Sequence, residues 1–317
     1  NSTDTTRINK YIQKSIYQVK QKNNVFHSFS KDFKLNFNLK DLSKYKKFKR
    51  VIFIGMGGSI LGAQSVENFL KKDLKKEIFF LNNLELYKIK ALNNLKDLKN
   101  SLFVIISKSG STIEVLSIIN SLKNKAKFNQ KNTLVITDNR KSHLSIFAKK
   151  NKIRIVFHRQ HIGGRYSIFS ETALVPCYLL GINIFKLRKN ILNFLFKKRS
   201  VLIKNTINLL KIYKSKKINS LVLLNYCEGL EHFLLWCQQL IAESLGKDGK
   251  GILPLISIGP RDHHSLLQLF LNGPKDKFFY VFSFKGKKNT KKAKRYFPDA
   301  LNNSSMNEVL ESQKSAM

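Results

Sequence analysis

Five short apolar runs in the first half of this 317-residue chain, at 51–55, 77–81, 102–106, 133–137 and 154–157, constrain its fold more than any other feature. Each is continuous rather than alternating, and each is separated from the next by a stretch long enough for a crossover helix. A strand that is apolar on both sides must be covered on both faces, which predicts parallel strands in a doubly wound α/β sheet. Residues 1–41 read as an N-terminal helical segment and 42–214 as a first α-β-α sandwich with its following helices. A further β-run at 220–225, an amphipathic stretch at 229–245 and a β-run at 278–284 start a second lobe over 215–297. Two strands make a poor independent sheet, so this lobe is expected to be incomplete. The tail at 298–317 is polar and expected to lack fixed structure.

The core demanded by such a fold is affordable, since 43% of the chain is hydrophobic. The net charge of +38 suggests on its own a nucleic-acid or anionic-surface partner. However, 48 of the 58 basic residues are lysines, they are spread along the whole chain, and 30 asparagines accompany them. A phosphate-tracking surface favours the planar fork of Arg, and no zinc spacing or recognition-helix motif is present. The charge therefore reads as a compositional bias with solvated lysines, and no specific nucleic-acid partner is expected. The densest basic run, 285–295, is the one minor candidate for anion binding. Cys177, Cys227 and Cys237 lack both C-x-x-C spacing and even number, which argues against a disulfide framework or a zinc site and for a reducing, cytoplasmic compartment. No apolar stretch reaches the ~18 residues that span a bilayer, so no membrane partner is expected.

Two turns carry candidate chemistry. Gly55-Met56-Gly57-Gly58-Ser59-Ile60-Leu61-Gly62 joins a strand to a helix, where glycines let the backbone approach a ligand and the helix N-terminus attracts an anion. The spacing is not that of a dinucleotide fingerprint, and the next strand ends in Asn82-Asn83 rather than an acid, so a nicotinamide cofactor is disfavoured. Ser107-Lys108-Ser109-Gly110-Ser111-Thr112 also lies between a strand and a helix. Its hydroxyls, lysine and glycine are the ingredients of a phosphate cup, without the spacing of a Walker loop.

These two loops resemble those of the sugar-isomerase (SIS) domain. Three later segments narrow the resemblance to the phosphoglucose isomerase family: Gly163-Gly164-Arg165-Tyr166-Ser167, Glu243-Ser244-Leu245-Gly246-Lys247 and His263-His264-Ser265-Leu266-Leu267-Gln268-Leu269. The resemblance implies two SIS-type, flavodoxin-like lobes. It also implies interconversion of glucose 6-phosphate and fructose 6-phosphate through an enediolate, no cofactor or metal, and a homodimer with shared active sites. It makes Glu243 the proton-transfer base, Arg165 the enediolate stabiliser and His264 the ring-opening group, given to the neighbouring subunit's pocket. Gly58, Ser59, Ser107, Lys108, Ser109, Thr112, Glu114 and Gly164 become substrate-binding positions. The roles suit the residue types: a carboxylate shuttles a proton, a fixed guanidinium meets a growing negative charge, and an imidazole exchanges protons near neutrality. The remaining histidines read as structural.

The family carries a further lysine on a C-terminal helix about a hundred residues beyond the histidine. Only 53 residues follow His264 here, and none of Lys285, Lys291, Lys292, Lys294 or Lys314 lies in an apolar helical stretch. A C-terminally shortened member is therefore expected. Two other readings stay open: a non-catalytic phosphosugar-binding module, and a dual phosphoglucose/phosphomannose isomerase.

Overall fold

The computed structural model describes residues 2–215, 217–284 and 304–317. The chain divides into two compact units, Asn1–Leu209 and Leu210–Met317. The basic run 285–295 lies outside the described residues.

In the first unit, strands β1 (Arg50–Gly55), β2 (Glu77–Leu81), β3 (Leu102–Ile106), β4 (Thr133–Asp138) and β5 (Arg154–His158) form one sheet in the order β2-β1-β3-β4-β5. Every neighbouring pair is parallel. The helices are α1 (Ser2–Val19), α2 (Leu39–Ser43), α3 (Leu61–Leu70), α4 (Leu86–Asn93), α5 (Ile113–Ala126), α6 (His143–Lys150), α7 (Glu171–Leu179), α8 (Ile184–Arg188) and α9 (Ile191–Lys197), and α10 (Arg199–Lys214) runs across the boundary between the units. Side chains that alternate along a strand enter two different cores. Ile52, Ile54, Phe103, Ile105 and Val135 pack with residues of α4, α5 and α6. Val51, Phe53, Leu102, Val104, Ile106, Leu134 and Ile136 pack on the opposite face with Leu42, Tyr45, Val175 and Leu179. This is why the runs are continuous in sequence: both faces are buried, and each such side chain stabilises by ~1.5–3 kcal/mol on leaving water.

In the second unit, β6 (Ser220–Asn225), β7 (Leu253–Ile258) and β8 (Lys277–Phe282) form a parallel sheet in the order β7-β6-β8. Helices α11 (Glu231–Leu245), α12 (His263–Asn272) and α13 (Met306–Ser315) accompany it. Two expectations are corrected here. Among the described residues the sheet has three strands rather than two, because β7 was masked in the sequence by Pro254 at its second position. Proline lacks an N–H and is tolerated on an edge strand, which is where β7 lies. The polar tail also folds in part, since α13 begins with a capping box. Ser305 Oγ accepts from the Glu308 amide and Glu308 accepts from the Ser305 amide at 2.7 Å. Leu310 of that helix then packs against the cluster of Val222, Leu224 and Tyr226.

Among the described residues, no helix is long and apolar enough to cross a membrane.

Candidate functional site

In an open parallel sheet, ligands bind at the carboxyl edge where the strand order reverses, here between β1 and β3. Both turns singled out in the sequence start at that point. Gly55 is in register with Ile106, and a Cβ on Gly55 would stand 2.9 Å from the Ile106 carbonyl oxygen. The glycine therefore lets the two loops leave the sheet side by side.

The segment 107–112 is shaped from within. Ser107 is buried, and its Oγ lies 2.8 Å from Thr112 Oγ1 while accepting from the Gly110 amide at 3.1 Å. Gly110 has φ +66°, and a Cβ there would come within 2.1 Å of Ser142 Oγ. Its carbonyl accepts the Leu144 amide at 2.9 Å, so the first turn of α6 supports the loop from below. Thr112 is the N-cap of α5 but makes no side-chain cap bond to the helix. The first amides of α5 thus keep their donors, beside the exposed hydroxyls of Ser109 and Ser111. Glu114, in the first turn of α5, is exposed.

Ser107 and Lys108, expected at the substrate, also make contacts within the protein. Ser107 spends its hydroxyl on the loop. Lys108 Nζ donates to the carbonyls of Gln160 at 2.7 Å and Ile162 at 2.9 Å, tying this loop to the one that leads to Arg165. Burial pushes the Lys108 ammonium below the usual lysine range, with Asp138 opposing that shift and Arg140 adding to it.

Gly58 is buried against the Gly164–Arg165 backbone: a Cβ on Gly58 would lie 2.4 Å from the Gly164 carbonyl carbon and 2.6 Å from the Arg165 amide nitrogen. Ser167 Oγ donates towards the carbonyls of Gly58 (3.2 Å) and Gly164 (2.7 Å), and Thr172 Oγ1 lies 2.6 Å from Ser167 Oγ. The Arg165 guanidinium rests 4.5 Å from the centre of the Tyr166 ring. Ser59 is half-buried on the same turn. Gly58→Ala is expected to destabilise the protein by ~1–3 kcal/mol, because the methyl meets backbone that cannot step aside. A urea melt with an unchanged midpoint would contradict this.

Thus Gly58, Ser59, Ser107, Lys108, Ser109, Thr112, Glu114, Gly164 and Arg165 all belong to the carboxyl edge of the first sheet. Glu243 and His264 belong to the second unit. Glu243 is exposed in the last turn of α11 and accepts from Gln239 Nε2 at 2.6 Å. His264 is exposed in the first turn of α12. Its neighbour His263 turns inward, with Nε2 2.7 Å from the Tyr226 hydroxyl. Asp262 organises this turn: it accepts from the Ile258 amide and from Arg261 Nε, both at 2.7 Å. Although burial opposes it, these partners hold the Asp262 carboxyl below the usual carboxylate range.

Sequence reasoning missed Asp138, whose fully buried carboxylate ends β4 and pairs with Arg140 at 2.5 Å. It also missed the buried His158 and Glu171 beneath the Arg165 loop. The available signal was position, since all three stand at strand ends or helix starts on the carboxyl edge.

Comparison with known proteins gives one family. The model of phosphoglucose isomerase matches residues 5–252. A glucose-6-phosphate isomerase of Methanocaldococcus jannaschii is 37% identical over 249 residues, covering 75% of this chain and 61% of that protein. One from Campylobacter jejuni is 35% identical over 243 residues, covering 72% of this chain and 59% of that protein. The chain thus spans about three fifths of the length of these curated relatives. Two solved structures share the fold. A hypothetical protein from Thermus thermophilus has a TM-score of 0.76 at 22% identity, covering 98% of this chain and 80% of that one. A glucose-6-phosphate isomerase from Chlamydia trachomatis has a TM-score of 0.66 at 20% identity, covering 88% of this chain and 57% of that one.

Proposed function

The chain belongs to the phosphoglucose isomerase family, and from that membership we propose that it interconverts glucose 6-phosphate and fructose 6-phosphate, acting in glycolysis and gluconeogenesis as a cytoplasmic homodimer. The observation that carries the reading is the carboxyl edge of the first sheet. There the α5 N-terminus keeps its amides, exposed hydroxyls surround it, and the Arg165 loop is locked in place at Gly58. An anionic phosphate suits the helix end and the hydroxyls, and the sugar's reacting carbons then fall to Arg165.

Aldose and ketose are isomers, so the chemistry is one of proton movement. Glu243 takes the proton from C2 of the aldose or C1 of the ketose and returns it to the other carbon. A proton passes in step between the two oxygens, and the enediolate charge that forms is met by Arg165. His264 exchanges a proton with the ring oxygen as the sugar opens.

The second unit supports a shared site. The helix α11 follows the carboxyl end of β6 and runs back along the sheet, and Gln238 Nε2 donates to the carbonyl of Pro254 at the start of β7. Glu243, five residues on, therefore stands at the amino edge of this sheet, while His264 follows the carboxyl end of β7. The six residues of β7 set these edges apart by about 20 Å at ~3.3 Å per residue. Such a separation suits an arrangement in which Glu243 of one copy works with His264 of the other.

The test is a coupled assay in which the protein converts fructose 6-phosphate to glucose 6-phosphate and a dehydrogenase reports the product. Turnover is expected. Calorimetric binding of fructose 6-phosphate without turnover would instead indicate a phosphosugar-binding module, and comparable turnover of mannose 6-phosphate a dual-specificity isomerase.

A further inference from the structure

Beneath the Arg165 loop lies a buried pair that the reaction outlined above does not use. His158 ends β5 and Glu171 opens α7, and neither side chain reaches solvent. His158 Nδ1 is 3.0 Å from Glu171 Oε2, and His158 Nε2 is 2.9 Å from the carbonyl oxygen of Ile162. The same carbonyl accepts from Lys108 Nζ at 2.9 Å. Ile162 immediately precedes Gly163-Gly164-Arg165, so this carbonyl is gripped from two sides just before the arginine.

We propose that His158 and Glu171 are positioning residues for Arg165: Glu171 fixes the imidazole in the state that donates from Nε2 to Ile162, and this bond, with that of Lys108, sets the loop from which Arg165 meets the enediolate. The proposal rests on the isomerase reading for what Arg165 does there.

The hydrogen-bond inventory carries the argument. Both ring nitrogens face acceptors, and a ring with one N–H can satisfy only one of them. The pair is complete when it holds one further proton, on Nδ1 or on Glu171 Oε2, and in both cases Nε2 remains the donor to Ile162. Around the pair stand Arg159, with Nε 3.8 Å from Glu171 Oε1, and Arg188 and His161, which feel the Glu171 charge. Arg159 and Arg188 both lie over the Phe33 ring, at 4.4 and 4.8 Å. An apolar pair of similar volume would serve stability as well, since a buried ion pair is weak support for a fold. A histidine and a glutamate are needed only where a specific donor must point at a specific carbonyl.

The experiment is steady-state kinetics on Glu171→Leu, Glu171→Gln and His158→Phe, alone and combined with Arg165→Ala, with hydrogen exchange of segment 159–167 measured in parallel. Glu171→Leu and His158→Phe are expected to lower kcat about tenfold with KM within about threefold, because Arg165 acts on charge present only in the transition state. Glu171→Gln can still donate to Nδ1 and leave the Nε2 proton on Ile162, so it is expected to retain kcat to within about threefold. In the Arg165→Ala background the same substitutions should cost less than about twofold more, the sign of a shared route. Exchange over 159–167 should rise in Glu171→Leu and His158→Phe but not in Glu171→Gln. A kcat within about twofold of the parent in both apolar variants, or full additivity with Arg165→Ala, overturns the proposal. If the parent itself shows no isomerase turnover, it is the isomerase reading that falls. Exchange then decides the positioning claim alone, and unchanged exchange over 159–167 overturns it.

Discussion

Arg165→Lys is expected to lower kcat for fructose 6-phosphate isomerisation by ~10²–10³-fold, the cost of removing one preorganised stabiliser of a developing oxyanion. The substitution keeps the charge and removes the planar fork, whose two parallel donors a lysine ammonium cannot reproduce. The loop beneath it should be untouched. The backbone contact at Gly58, the bonds of Ser167 to Gly58 and Gly164, and the bonds to the Ile162 carbonyl do not use the Arg165 side chain and should survive the change. The measurement is kcat and KM by coupled assay beside a thermal melt. A kcat within about threefold of the parent would remove Arg165 from the transition state, since that ratio is worth under ~0.7 kcal/mol.

Glu243→Gln is expected to cost ~10²–10⁴-fold in kcat, the usual range for a positioned general base. Glu243 is exposed in the last turn of its helix, and glutamine can keep the contact with Gln239, so stability should move by no more than ~0.5 kcal/mol. Exchange of the C2 proton of glucose 6-phosphate with deuterated solvent, followed by NMR, should be lost together with turnover. A rate within about tenfold of the parent, worth ~1.4 kcal/mol, would show the base to be elsewhere. The same variant tests the shared site. Mixed with His264→Ala and allowed to exchange subunits, it should recover about a quarter of the parental activity, because half of randomly paired dimers carry one intact site of two. No recovery would mean that Glu243 and His264 of one copy serve the same sugar.

Most of the first sheet was legible because its central strands β1, β3 and β4 are buried on both faces, which leaves uninterrupted runs such as 102–106. The strand β7 was not, because it is an edge strand whose burial alternates and whose second residue is proline. The helix α13 left a readable trace in Ser305 and Glu308, but its docking depends on Leu310 reaching the Val222–Leu224–Tyr226 cluster, a contact between residues some eighty positions apart. The candidate site divides in the same way. The glycine turn, the hydroxyl loop and the Arg165 segment were visible as local patterns, since a backbone that must approach something closely requires glycine wherever it does so.

The amino-acid sequence by itself determined the parallel doubly wound architecture, through side chains that must leave water on both faces of the central strands β1, β3 and β4, and the five motifs that mark the family. Tertiary structure alone decided which partners several of those residues meet. Lys108 is a cation beside a hydroxyl loop and reads as an anion ligand. Yet folding brings it against two carbonyls some fifty residues away, where its ammonium organises the Arg165 loop. His158 and Glu171, thirteen positions apart, read as an ordinary histidine and an ordinary helix-start acid until β5 and α7 bury them together. Residue type sets which bonds a side chain can make, while its partners are set by which strands and helices the fold places side by side.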